Sequence, residues 1–252
     1  MKALVIQNCL AEDIGLYEIR LQDKGIECRV HHAYGGKKIP AADPFDLFIV
    51  GGTPISIYEA DKHDFLTKEI MYLERILKTD RPILGICGGG QLLARLLGAQ
   101  VKKNPAMEIG GYKVKLTSAG RQSRFFKDFP GEFRVFQWHG DTFDLPAGDK
   151  LLVLGKNCKN QAFAHKKSLA LQFHLETTSE AVDKWVEQYR DELQRINKTE
   201  IQVVNEFRLI EEQTKKLAYL LIDNFLSVAG QDGVHFRQEP RANGTLFYNS
   251  TG

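Results

Sequence analysis

Apolar and polar positions in the first half of the chain alternate between short unbroken apolar runs and longer segments with helical spacing. Residues 2–6, 28–31, 46–50 and 81–87 read as strands. Between them, 14–24 reads as a helix ended by Gly25, and Leu66, Ile70, Leu73 and Leu77 recur at helical spacing. Residues 91–98 read as a short helix after the fourth strand. Strands alternating with helices predict a parallel sheet with crossover helices. The pattern then changes. Residues 112–116, 133–137, 151–154, 162–164 and 168–173 are short strand candidates joined by turn residues. They predict antiparallel pairs appended to the parallel sheet.

Helices return after residue 178. Thr178 or Ser179 can cap a helix whose apolar positions are Val182, Trp185, Val186, Tyr189, Leu193 and Ile196. A second helix is predicted over about 198–229, with Val203, Phe207, Ile210, Leu217, Leu221, Phe225 and Val228 as its stripe. That stripe can dock a partner or a second copy, or pack on its own domain. Residues 231–252 are polar and aperiodic and predict a mobile tail or irregular arm. The expected organisation is an α/β domain over 1–195, a C-terminal helical extension over 196–230, and the tail.

Composition narrows this only slightly. With 252 residues, 43% of them hydrophobic, the chain can bury the core of one α/β domain. A net charge of +2 gives no special attraction to nucleic acid or acidic membranes. No apolar run is long enough to cross a bilayer, and the apolar start is too short for a signal peptide. The four cysteines, Cys9, Cys28, Cys87 and Cys158, form neither a CxxC pair nor a zinc pattern. A reducing, cytoplasmic setting is expected, with Cys9, Cys28 and Cys158 inert.

The candidate chemistry centres on Pro82-Ile83-Leu84-Gly85-Ile86-Cys87-Gly88-Gly89-Gly90-Gln91, an apolar strand running into a Gly-rich turn and then a helix. A nucleophile on such an elbow projects from the carboxyl edge of the sheet, and the helix N-terminus favours its thiolate. The competing reading is a buried cysteine beside an anion-binding glycine loop. That loop would lack the Lys-Ser/Thr pair of a phosphate loop. A thiol nucleophile needs a histidine base, and the base needs a partner to fix its tautomer. His174 follows the strand 169–173, and Glu176, two residues on, points the same way at a strand end. A strand-end histidine beside a surface carboxylate is the alternative. His139, in the polar segment Trp138-His139-Gly140-Asp141 read as a turn, competes with it. No carboxylate sits two residues along its face, so it is assigned to the substrate wall. His31, His32, His63, His165 and His235 are expected on the solvated surface. For an oxyanion, Gly88 supplies one N–H, and the Gly51-Gly52-Thr53 turn after the third strand is the candidate for the second.

Together these segments resemble the class I, triad-type glutamine amidotransferase family. Its Gly-x-Cys-x-Gly-x-Gln appears as Gly85 to Gln91, its Gln-Phe-His-x-Glu as Gln172 to Glu176, and its glycine oxyanion strand as Gly51 to Ser56. The Trp138-His139-Gly140-Asp141 segment is similar to stand-alone members related to the glutaminase domain of GMP synthetase. The likeness spans roughly residues 1–195. It implies a flavodoxin-like sheet, mostly parallel, with appended antiparallel strands. It implies Cys87 as nucleophile, His174 as base, Glu176 as orienter, Gly52 and Gly88 as oxyanion donors, and Gln91, Trp138, His139 and Gly140 around the substrate. It implies no metal and no cofactor. The implied reaction is hydrolysis of the γ-amide of glutamine or a γ-glutamyl compound, releasing glutamate and ammonia. Ammonia would pass to a separate synthetase subunit or be released, and a homo-oligomer is compatible. Two alternatives stay open: a γ-glutamyl peptide hydrolase, and a non-catalytic regulatory module on the same fold. Leu175 stands where the family usually has proline, Ala170 where glycine is common, and Gly88 where a bulkier residue is frequent.

Overall fold

The computed structural model describes residues 1–230; the expected tail at 231–252 lies outside them. Nine strands form one sheet: β1 (Lys2–Gln7), β2 (Glu27–His32), β3 (Leu47–Val50), β4 (Ile83–Ile86), β5 (Val101–Leu116), β6 (Glu132–Phe143), β7 (Lys150–Leu154), β8 (Asn160–His165) and β9 (Ser168–Leu171). Their order is β2-β1-β3-β4-β9-β8-β7-β5-β6. The five strands from β2 to β9 are mutually parallel, and every pairing from β9 onward is antiparallel. The mostly parallel sheet expected from the sequence is therefore parallel over one half only. β5 and β6 account for the difference. Each is a long hairpin arm of which only a short piece read as strand. β5 escapes the alternation rule because it carries Pro105, Gly110, Gly111 and a bulge between Lys103 and Glu108. The Trp138-His139-Gly140 segment lies inside β6, paired with β5, and is no turn.

The inner parallel strands β3, β4 and β9 are buried on both faces, which is why they read as continuous apolar runs. Alternate residues serve opposite layers. Leu4, Ile6, Phe48 and Val50 meet Leu66, Leu73 and Ile76 of α2 (Asp64–Leu77) and Leu92 and Leu93 of α3 (Gly88–Leu96). Val5, Ile49, Leu84 and Leu171 face α1 (Gly15–Asp23) and α8 (Glu211–Ala229). A short helix, α4 (Ser118–Gln122), follows β5.

Both C-terminal helices expected from the sequence are broken. The first is α5 (Ser179–Gln188) and α6 (Arg190–Arg195), divided at Tyr189. The second is α7 (Glu200–Arg208) and α8, divided at Leu209 and Ile210. The reason is that one stripe serves two surfaces. Val203 and Phe207 of α7 join Ile109, Phe136 and Trp185 in one cluster. Leu217, Leu221 and Phe225 of α8 enter the core over α1. Arg20 of α1 closes this contact with Asp223, at 2.6 and 3.0 Å. Of the amphipathic stripe's two readings, packing on its own chain is the one observed.

Candidate active site

Residues just beyond the ends of three parallel strands converge in one cavity of about 620 Å³. Cys87 follows β4 and precedes α3 with φ 50° and ψ −110°, a left-handed conformation rare for a residue with a side chain. Such a residue carries about 1–3 kcal/mol of backbone strain that the surroundings must hold. Its N–H donates to the Leu171 carbonyl of β9 at 2.8 Å, and its carbonyl accepts from Gln91 N–H at 2.9 Å. The glycines beside it are required by contact. A Cβ on Gly90 would sit 2.5 Å from the Leu171 carbonyl oxygen, and one on Gly89 would collide with the Val50 carbonyl. Only a bare backbone lets α3 start directly on β3 and β9. At Gly88 a Cβ would stand 2.7 Å from the Thr53 methyl, so the elbow and the Gly51-Gly52-Thr53 turn touch. The Gly88 N–H, at the start of a helix, has no intrahelical acceptor.

His174 leaves β9 through a two-bond bridge to Phe136 of β6, with N···O distances of 2.9 and 3.3 Å. Its ring packs edge-on against Trp185 at 5.0 Å between centroids. Nδ1 bonds Glu176 Oε1 at 2.5 Å, and the other carboxylate oxygen accepts from the Leu175 N–H at 3.0 Å. Nε2 is buried and has no protein partner other than the neighbouring Cys87 sulfur. Burial works against the imidazolium, but the Glu176 carboxylate and the neighbouring Cys87 sulfur outweigh it. The His174 pKa is held well above its ordinary value. The carboxylate thus fixes one proton on Nδ1 and strengthens Nε2, which stands beside Cys87, as the base that takes a second.

His139 has no such freedom. Its Nδ1 faces the Asp141 carbonyl at 2.9 Å and its Nε2 faces Glu108 Oε2 at 3.1 Å. The carboxylate that sequence spacing failed to give it comes from the adjacent strand β5. Both nitrogens being committed, His139 serves the cavity as a wall, together with Trp138 and Gly140. The Trp138 carbonyl accepts from the Cys87 thiol at 3.8 Å, and Trp138 Nε1 donates to Glu192 at 2.8 Å. Gln91 also lines the cavity and donates to Gln172 Oε1 at 3.2 Å, while Gln172 Nε2 approaches Cys87 Sγ at 3.8 Å.

Glu108, His139 and Cys158 form a second Cys-His-Glu group, with their donor atoms within 4.8 Å of one another. Such a set can gather a metal ion, but here each member already has a protein partner. Gln161 donates to Glu108 at 3.2 Å, and Thr142 bonds Cys158 at 3.2 Å. Burial pushes the Cys158 thiol up to about 11, so it is protonated at neutral pH and a poor nucleophile. Cys28 is likewise raised to about 11 by burial. His31, expected at the surface, is buried, and His165 pairs with Asp149 at 3.1 Å. The solvated-surface expectation fails for His31, which on edge strand β2 sits in a cavity shared with the segment after it and with α2.

Sequence spacing missed Glu12, Glu108, Gln172 and Tyr189. Glu12 lies in an aperiodic loop, and Tyr189 matched the helix stripe, so neither carried a signal. Glu108 is hidden by the bulge in β5. Gln172 stood within a matched motif without an assigned role.

Residues 18–188 match the family model described as glutamine amidotransferase class-I. The glutamine amidotransferase-like protein YfeJ of Salmonella typhimurium is 30% identical over 187 residues, covering 72% of this chain and 78% of that protein. A GMP synthase [glutamine-hydrolyzing] of Bacillus subtilis is 30% identical over 185 residues, 70% of this chain. The match spans only 34% of the length of that synthase. A glutamine amidotransferase crystal structure from Thermotoga maritima superposes with a TM-score of 0.83 at 33% identity, covering 90% of this chain and 98% of that one. Among the described residues, no helix is long and apolar enough to cross a membrane.

Proposed function

Since the chain belongs to the class I glutamine amidotransferase family, we propose that it hydrolyses the γ-amide of glutamine through a thioester on Cys87. The observation that carries this reading is the His174 Nε2, which has no partner but the sulfur of a strained Cys87, with Nδ1 held by Glu176. His174 takes the thiol proton, and the sulfur attacks the γ-carbonyl carbon. The N–H groups of Gly52 and Gly88 receive the oxyanion. His174 then protonates the leaving nitrogen, ammonia departs, and a thioester remains. Water, deprotonated by His174, attacks the thioester and releases glutamate and free Cys87. Gln91, Trp138, His139 and Gly140 shape the substrate's surroundings. An ammonia acceptor on a separate synthetase chain belongs to the same proposal, supported by the glutamine-hydrolysing GMP synthases that the chain resembles in part.

A second reading is favoured by the cavity. At about 620 Å³ it falls in the size range of pockets that take drug-sized molecules. A γ-glutamyl compound with a leaving group larger than ammonia therefore fits as well. Both readings are tested by glutamate release from glutamine and from glutathione, with Cys87→Ala as control. Release from glutamine that disappears in Cys87→Ala is expected; preferential release from glutathione would move the chain to the γ-glutamyl hydrolases. No Cys87-dependent release from either would overturn the proposal.

A further inference from the structure

We propose that Glu12 is a substrate-recognition residue that receives the α-ammonium group of a γ-glutamyl substrate, restricting the site to compounds with a free α-amino group. The inference rests on the γ-glutamyl reading of Cys87 given above and extends it to the far end of the substrate.

The position of the carboxyl carries the argument. Glu12 is buried, yet it lines the reaction cavity. Its Oε1 accepts from Tyr189 Oη at 2.8 Å. Its Oε2 lies against Gly52: a Cβ there would collide with Oε2 and stand 3.7 Å from Cys87 Cβ. The carboxyl is therefore a close neighbour of both the nucleophile and the expected oxyanion turn. In glutamine, the ammonium nitrogen is four bonds from the carbon that Cys87 attacks, a span of about 5 Å when extended. A substrate curled in the cavity reaches Glu12 with that group.

The charge surroundings suit such a guest. Among the described residues no lysine or arginine pairs with Glu12. Burial raises its pKa, and Glu176 and Glu192 add to the effect, while His174 and the Tyr189 hydroxyl oppose it. A carboxyl buried next to an oxyanion turn would repel the negative charge that develops there. A substrate ammonium removes both penalties by pairing with it in a dry site. Opposite charge for the substrate's α-carboxylate is at hand, since Lys103 and Arg195 line the same cavity. The loop bearing Glu12 is fixed independently of any substrate: Trp185 Nε1 donates to the Ala11 carbonyl at 2.7 Å, and Leu16 N–H to the Glu176 carbonyl at 2.8 Å.

The test is calorimetric binding to the Cys87→Ala chain, which cannot turn over. Two probes are compared, glutamine and glutaramate, which is glutamine without its α-amino group. Glutamine is expected to bind about tenfold to a hundredfold more tightly, as for a charge-assisted hydrogen bond. Adding Glu12→Gln, which keeps an oxygen for Tyr189, should abolish that preference while leaving glutaramate affinity unchanged. Circular dichroism would establish that the double variant is folded. Equal affinity for both probes in Cys87→Ala, or a preference surviving Glu12→Gln, overturns the role of Glu12 and leaves the γ-glutamyl reading standing. Failure of both probes to bind overturns the γ-glutamyl reading together with this one.

Discussion

Glu176 acts on His174 through geometry as much as through charge. One oxygen accepts from His174 Nδ1 and the other from the Leu175 N–H. Replacing Glu176 with glutamine leaves one acceptor for two donors. The Leu175 N–H cannot move, so it takes the amide oxygen and turns the NH2 toward His174. Nδ1 must then accept, and the proton is forced onto Nε2, the atom that has to receive it from Cys87. Glu176→Gln is therefore expected to lower kcat for glutamine by on the order of 10²–10⁴-fold, as for a triad locked in the wrong tautomer. Steady-state glutamate release checks this. An unchanged kcat would mean that Glu176 does not set the His174 tautomer. At this scale the sequence was informative where spacing reflects contact: His174 and Glu176 are two residues apart and bond directly. It was silent where the partner comes from another strand or loop, as Glu108 does for His139 and Glu12 for Tyr189.

Elements were legible where burial is uniform. β1, β3, β4 and β9 are unbroken apolar runs because they lie between two helical layers. The parallel half of the sheet could therefore be read at once. The hairpin of β5 and β6 was read only in fragments, because proline, paired glycines and a bulge interrupt its alternation. The helix breaks at Tyr189 and at Leu209–Ile210 are set by the surfaces the helices must cover, which no local spacing contains. α8 gives the clearest case. Phe225 is fully buried and stacks on Phe125 at 6.3 Å between centroids. If α8 is integral to the core, Phe225→Ala should cost about 3–5 kcal/mol through transfer and cavity terms. That corresponds to a fall in Tm of roughly 6–20 °C for a domain of this size. A shift of less than about 2 °C by calorimetry would mean that α8 is dispensable to the core. The stripe would then be free to dock a partner.

At the scale of the molecule, the parallel half of the sheet aims its strand ends at one place. Asn8 follows β1, Gly51 and Gly52 follow β3, Cys87 follows β4 and His174 follows β9, so the candidate site gathers at the carboxyl edge, as in open α/β sheets generally. This convergence brings polar groups into the core, and Glu69 of α2 is its most exposed cost. Glu69 is fully buried, accepts from Asn8 Nδ2 at 3.2 Å through Oε1, and has no partner for Oε2. Desolvation raises its pKa from the ordinary 4.5 to about 8, with the Asn8 bond opposing only in part. The folded chain thus keeps a proton on Glu69 at neutral pH, whereas the unfolded chain releases it. Folding takes up a proton between pH 4.5 and about 8. The contribution of this group is fully present below pH 4.5 and is lost as pH rises through that window, at about 1.4 kcal/mol per pH unit at most. Glu69→Gln keeps the acceptor for Asn8 and removes the titration. Its stability relative to the parent chain, from urea unfolding at a series of pH values, should therefore rise steadily from pH 5 to 8 and level off above. Parallel stability curves across that range would show that the carboxyl finds a partner or water in solution and titrates near its ordinary value.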